Sequence, residues 1–249
     1  AESKVFHHHG LHQGSPPKRV SGVVKQLEKN IEDEDFKIPN SLTISGTKIY
    51  SIIVIPSYLG SKIDQQIKTY ISILNKINCI KEVFFLIPKD YAKNKELEKY
   101  ENHPKINFLK RKIFKTSFDA DLRVLLKEIL IHIEKKFSIP DHILYLNASY
   151  SNKASILFEL IETHLSTNSS TTLVGQKTFQ CIWAFNEFSG YKPVTPDLLK
   201  PKNMRNPLFK VFYGLGTIYL ACDLRKADSS NQITGIFEIK EQQPVNRIS

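Results

Sequence analysis

Between residues 48 and 165, unbroken apolar runs alternate with stretches whose apolar residues recur at helical spacing, and few folds satisfy both patterns. The first run, Tyr50-Ser51-Ile52-Ile53-Val54-Ile55, is stopped by Pro56-Ser57. A strand with one wet face would alternate apolar and polar residues. An unbroken run reads instead as a strand buried on both faces, as in parallel sheets. Ile63, Ile67, Tyr70, Ile71, Leu74 and Ile77 then fall at helical intervals and predict an amphipathic helix able to cover that sheet. Val83 to Ile87, ended by Pro88, predicts a second buried strand, and Ile106 to Leu109 a short third. Phe118, Leu122, Leu125, Leu126, Ile129, Ile133 and Phe137 mark a longer helix that stops before Pro140. Ile143-Leu144-Tyr145-Leu146 is the expected fourth strand, and Leu157, Leu160, Ile161 and Leu165 stripe a third helix. This order predicts an α/β fold with a mainly parallel central sheet flanked by helices.

Downstream the texture changes. Leu173-Val174 predicts another strand, and Phe179 to Tyr191 is rich in aromatic residues without clear periodicity. Prolines at 193, 196, 201 and 207 follow, and Gly214-Leu215-Gly216 turns Phe209–Tyr213 into Thr217–Leu220. Ile233 to Ile239 predicts an edge strand. Upstream, His7, His8, His9 and His12 precede Gly14-Ser15-Pro16-Pro17, a short helical stretch near Val20 to Lys29, and the acidic run Glu32 to Asp35. Such a histidine cluster can hold a metal, but at a terminus it more often marks a disordered segment. The expected organisation is a flexible tail over 1–45, one α/β domain over 46–225 and a polar segment over 226–249.

Composition narrows the function. Only 10 of the 249 residues are glycine. No G-x-x-x-x-G-K-[ST] phosphate loop occurs, and Gly214-x-Gly216 meets Tyr219 where the dinucleotide fingerprint needs a third glycine. Neither G-x-S-x-G nor H-E-x-x-H is present, so a hydrolase, dehydrogenase or zinc protease would need a site that leaves no linear trace. Cys79, Cys181 and Cys222 form no C-x-x-C pair and no disulfide framework. A single bridge stays open, but free buried thiols fit better. No stretch approaches the ~20 apolar residues that span a bilayer, and residues 1–37 hold no apolar signal core. Both a secretory lumen and the cytoplasm stay open. The net charge of +10 is spread among lysines, densest at Lys105, Lys110, Arg111, Lys112 and Lys115. Such a face attracts nucleotide diphosphates, nucleic acid or acidic lipid, or is simply solvated. Because no aromatic residues interleave with it in the RNA-binding manner, a nucleic-acid partner is disfavoured.

Three segments, in this order, resemble landmarks of GT-A nucleotide-sugar glycosyltransferases. Ile53-Val54-Ile55-Pro56-Ser57-Tyr58, a helix carrying Ser72-Ile73-Leu74, and Glu82 to Ile87 look like the opening βαβ unit of that family. Its first strand ends in a Pro-Ser/Thr-Tyr-like turn beside the nucleotide base. Phe118-Asp119-Ala120-Asp121-Leu122-Arg123 with Asp141 to Leu146 resembles the helix and strand that lead to the family's metal site. Phe209 to Tyr219, with its two glycines, resembles the glycine turn bordering the acceptor site. The resemblance spans about Lys48 to Asp223 and makes 46–225 a glycosyltransferase-like domain. It implies a GT-A-like (nucleotide-diphospho-sugar transferase) fold, a UDP- or GDP-linked sugar as donor, and a glycan or other hydroxyl as acceptor.

The match fails where the family keeps its metal ligands. After the fourth strand it has two or three aspartates, hard oxygen ligands for Mn or Mg beside the sugar diphosphate. This chain reads Asn147-Ala148-Ser149, with neutral oxygens, and offers only Asp223 and Asp228 near the expected place after the glycine turn. That argues against a bound divalent cation, and leaves two implications: an active transferase, or a catalytically inactive transferase-fold binding protein. The resemblance sets Pro56, Ser57 and Tyr58 beside the base, and Asn147 and Ser149 at the diphosphate. Arg123 or a nearby lysine would replace part of the metal's charge. Asp121 would meet a ribose or uracil edge, although an aspartate in a first helical turn also suits the helix dipole. Trp183, Glu187, Gly214 and Gly216 fall on the acceptor side, with core packing an equal explanation for Trp183. Asn147-Ala-Ser and Asn168-Ser-Ser are sequons, meaningful in a secretory lumen. Because parallel strands collect their carboxyl ends at one edge, Ser57 and Asn147 are expected to border one pocket, with Gly214 to Gly216 on its far wall.

Overall fold

The structure, a computed structural model, describes residues 46–88, 91, 95–100, 102–111, 122–178, 183–186, 190–193, 200–201, 204, 208–226 and 233–239. The expected tail, its histidine cluster and Cys181 lie outside the described residues, as do Asp121, Glu187 and Asp228.

The four leading strands form where the apolar runs predict them: β1 (Ile49–Val54), β2 (Ile80–Ile87), β3 (Ile106–Lys110) and β4 (His142–Asn147). All pair in parallel, in the order β3-β2-β1-β4. Every residue of β1 is buried. Tyr50, Ile52 and Val54 share one cluster with Phe84 and Leu86 of β2 and with Leu125, Leu126, Ile129, Leu130 and Ile133 of the helix Leu122–Glu134. The alternate residues, including Ile49 and Ile53, are fully buried on the opposite face. On a period-2 strand, burial of both parities requires helices on both faces.

The helices supply that cover. We label them α1 (Ile63–Asn75), α2 (Leu122–Glu134), α3 (Ala154–Thr167) and α4 (Ala221–Arg225), with 3-10 turns at Ser57–Lys62 and Lys95–Tyr100. The helix expected from Phe118 to Phe137 is described over its Leu122–Glu134 portion. Ile63, Ile67, Tyr70 and Leu74 of α1 are buried at the predicted spacing, as are Leu157, Leu160 and Ile161 of α3, where Phe158 is buried as well and Leu165 only partly. Fully burying one such side chain is worth about 1.5–3 kcal/mol. Among the described residues no helix is long and apolar enough to cross a membrane.

Beyond α3 the chain adds β5 (Thr171–Thr178), β6 (Trp183–Asn186), β7 (Gly190–Pro193), β8 (Leu208–Val211), β9 (Thr217–Leu220) and β10 (Thr234–Glu238). β9 enters between β4 and β5 and runs antiparallel to both. β10 lies parallel beside β5, β8 pairs antiparallel with β5, and β6 and β7 make a separate two-stranded sheet. The fold is therefore α/β with a mostly parallel central sheet, as expected, and one antiparallel strand set into it. Cys79 is a buried free thiol as anticipated, whereas Cys222 is free but exposed. Burial pushes the Cys79 thiol up and makes it a poor nucleophile.

Candidate functional site at the carboxyl edge of β1 and β4

β1 pairs with β2 on one side and β4 on the other, and the chain leaves β1 toward β2 but reaches β4 only after β3. Such a point of reversal leaves the carboxyl ends of the two central strands uncovered by their own connections, and open α/β sheets bind ligands there. Val54 of β1 stands opposite Asn147 of β4, and the Ala148 N–H donates to the Val54 carbonyl at 2.9 Å. The Pro56–Tyr58 turn and the Asn147–Tyr150 turn thus leave the sheet at the same edge.

A chain of hydroxyl and amide contacts joins them. Ser149 Oγ donates to Asn147 Oδ1 at 2.6 Å, so the Tyr58 hydroxyl, also bonded to Ser149 Oγ, is the donor in that contact. Asn147 Oδ1 accepts a second bond from the Ser149 N–H at 2.9 Å, closing an Asx turn at the strand end. Burial pushes the Tyr145 phenol up, and the nearby Asn147 side chain offsets only part of that shift. Ser149 is 1% exposed and Tyr58 is 58% exposed, so the tyrosine ring stands over the serine at the surface.

The third segment is closer than expected. The Asn147 N–H donates to the Gly214 carbonyl at 2.8 Å. A Cβ built on Gly214 would lie 2.7 Å from Asn147 Cβ and 2.7 Å from Tyr150 Cε2. Gly214 is therefore in direct contact with the Asn147–Tyr150 turn rather than facing it across a gap, and only a hydrogen fits between them. Its neighbour Tyr213 is 54% exposed at this edge.

Sequence reasoning passed over the support beneath. Tyr70, on the buried stripe of α1, directs its hydroxyl to the carbonyls of Asn147 (3.1 Å) and Tyr150 (2.9 Å), and accepts from Asn152 Nδ2 at 3.0 Å. Burial holds that phenol protonated, so it remains a donor to the turn at any ordinary pH. In the sequence Tyr70 is one more apolar position of a helix; only its contacts separate it from Leu74.

Two expected site residues are placed elsewhere. Arg123 donates to the Asp223 carbonyl, on α4, which follows the end of β9 that pairs with His142 at the far end of β4 from Asn147. A guanidinium engaged there is not a counter-charge at the Asn147 edge. Gly216 is buried, and a Cβ on it would meet Leu160 Cδ2 at 2.7 Å and Val174 Cγ2 at 3.3 Å, so its bareness lets the chain pass under α3 and serves no acceptor. Asp223 is likewise held at the far end by Lys226, whose bond to it lowers its carboxyl pKa. Trp183 lies on β6, in the two-stranded sheet.

The same geometry tests the metal that the fold suggests. A divalent ion needs oxygen lone pairs, preferably anionic. Asn147 Oδ1 spends its two on Ser149, the Ser149 hydroxyl donates within the turn and accepts from Tyr58, and the turn Asn147–Tyr150 itself carries no carboxylate. The residues present do not fit such an ion. Among the described residues no group of three or more His, Cys, Asp or Glu side chains could hold one.

No protein-family model and no curated protein sequence matches the chain. Solved structures do match in fold. 4-Diphosphocytidyl-2C-methyl-D-erythritol synthase from Anaerococcus prevotii superposes with a TM-score of 0.53 at 11% identity, over 80% of this chain and 92% of that one. The 2-C-methyl-D-erythritol 4-phosphate cytidylyltransferase of Francisella tularensis gives 0.51 at 14% identity, over 80% and 94%. A further 4-diphosphocytidyl-2C-methyl-D-erythritol synthase gives 0.51 at 12%, over the same shares. At these identities the likeness concerns the backbone: the chain has a GT-A-like α/β fold, similar to that of these structures.

Proposed function

We propose that the 46–225 domain binds a nucleotide sugar at the β1/β4 edge and transfers the sugar to a hydroxyl acceptor. The observation that carries this reading is the meeting of the Tyr58, Ser149 and Gly214 segments at the sheet's reversal point. The base lies beside Pro56–Tyr58 and the diphosphate beside Asn147–Ser149, with Trp183 and Glu187 toward the acceptor. The fold likeness to enzymes whose names specify cytidyl transfer supports a nucleotide as the ligand; the sugar and its transfer rest on the sequence resemblance. Titration calorimetry with UDP-, GDP- and CDP-linked sugars tests it, and failure of all three to bind removes it. Tyr58→Phe keeps the ring but deletes the donor to Ser149, so affinity is expected to fall by up to about tenfold, the worth of one such bond.

A second reading, a non-catalytic binding protein of the same fold, is favoured by the internally satisfied, uncharged Asn147 turn at the strand end. The two separate in a turnover assay for released nucleoside diphosphate. Strong loss of turnover in Ser149→Ala supports transfer, whereas binding with no turnover supports the second reading.

A further inference from the structure

We propose that this edge takes its nucleotide without a divalent cation and holds the ligand's ring against two surface phenols, Tyr58 and Tyr213. The inference rests on the nucleotide-binding reading above and adds how the ligand is held.

The first ground is electrostatic. Aspartates at a strand end repel a diphosphate unless a cation lies between them, so carboxylates and metal are useful only together. Here both Asn147 lone pairs are spent on Ser149, and the turn is neutral. A neutral turn has no repulsion to cancel. Loss of the acidic pair thus removes the ion's ligands and the repulsion it would have to screen, so binding, as distinct from transfer, does not call for it.

The second ground is apolar. Tyr58 and Tyr213 belong to the few large hydrophobic side chains left exposed among the described residues, at 58% and 54%. Both flank one turn: Tyr58 bonds Ser149, and Tyr213 precedes Gly214, which touches Asn147 and Tyr150. They come from segments far apart in sequence that reach the same turn only through the fold. A phenol has a polarisable face that stacks on a base or on the C–H face of a sugar, and a hydroxyl that can bond its edge. Ser149, beneath Tyr58, anchors that hydroxyl and limits the ring's rotation before any ligand arrives.

UDP, GDP and CDP serve as probes, titrated into the full chain by calorimetry in EDTA and again in manganese. The expected result is binding of at least one probe with the same affinity in both buffers. Tyr213→Ala should weaken that binding about tenfold, the usual scale for one lost stacking platform, and Tyr213→Phe should restore it. Tyr213 is exposed, so the Ala variant should keep the wild-type circular dichroism spectrum. The double variant Asn147→Asp/Ser149→Asp should bind poorly in EDTA and regain affinity with manganese. Wild-type binding that needs manganese would overturn the inference while leaving nucleotide binding intact. So would a folded Tyr213→Ala variant of unchanged affinity. Failure of all three probes in both buffers would remove the inference and the nucleotide reading together.

Discussion

The contribution of His164 to stability is expected to fall by about 3 kcal/mol as pH drops from about 6.5 to 4, because the folded chain protonates this imidazole far less readily than the unfolded chain. The imidazole is 1% exposed on α3, between His142 on β4 and Thr172 on β5. Its Nε2 shares a proton with His142 Nδ1 at 3.0 Å, and its Nδ1 bonds Thr172 Oγ1 at 2.9 Å. Burial, and secondarily the charge of His142, lower its pKa to about 4. The sign follows. Between the folded value near 4 and the free value near 6.5 the unfolded chain binds a proton that the folded chain refuses, so stability is full above about 6.5 and declines as pH falls. His142, itself lowered by burial, adds in the same direction. Glu162 opposes them, since burial raises its carboxyl and the folded chain protonates first. Subtraction isolates His164. Urea midpoints of wild type and His164→Leu, followed by circular dichroism across this range, should differ most at high pH and converge toward pH 4. At about pH 8 the variant loses roughly 1–3 kcal/mol through the stranded Thr172 and His142 groups. Parallel pH profiles for the two proteins would show that the histidine is not the cause.

The parts of the fold that were legible in the sequence are those whose signal is local. Tyr50 to Ile55, short, β-branched and stopped by proline, reads as a doubly buried strand, and the α1 stripe follows from spacing alone. The edge at which Val54 and Asn147 meet was legible too, because parallel pairing fixes which strand ends gather. Local signal ends at β9. Thr217–Leu220 reads as a short strand, yet nothing within it says that it enters between β4 and β5 in the reverse direction. That placement carries α4 and Asp223 past the far end of β4, and Arg123 binds there. A guanidinium's partner is set by tertiary packing, not by its distance along the chain from an aspartate motif. The two glycines make the same point at closer range. Gly214 and Gly216 differ by two positions, but one touches the Asn147 turn and the other lies under Leu160 of α3. Composition cannot distinguish a glycine that opens a site from one that closes a core; only the neighbour that a Cβ would strike can do so.

That neighbour makes Gly214→Val the most informative single change at the candidate site. Gly214 has no positive φ, so its backbone would accept a side chain and the obstacle is purely steric. The first added carbon would sit 2.7 Å from Asn147 Cβ and 2.7 and 2.9 Å from two atoms of the Tyr150 ring. The ring could swing aside, but a Cβ cannot leave its strand, so the Gly214 segment must lift from β4. Lifting stretches the Asn147 N–H bond to the Gly214 carbonyl and disturbs the Asx turn that presents Ser149 to Tyr58. Overpacking of this kind costs about 1–3 kcal/mol, and valine's two further methyls place the change toward the upper end. Gly214→Ala, with one carbon, should fall lower in the same range. Gly60 is the control. Nothing lies within 4 Å of a Cβ there, but its φ of +50° with ψ −120° is a conformation essentially reserved for glycine, so Gly60→Ala should cost only the backbone term, about 1–3 kcal/mol. Urea titrations order the three variants. Calorimetry at a temperature where all are folded should then show nucleotide affinity falling with the lift of the Gly214 segment, by more than about tenfold in Gly214→Val. If valine at 214 leaves both the urea midpoint and the affinity unchanged, Gly214 is not in contact with Asn147 in solution, and the three segments do not form one site.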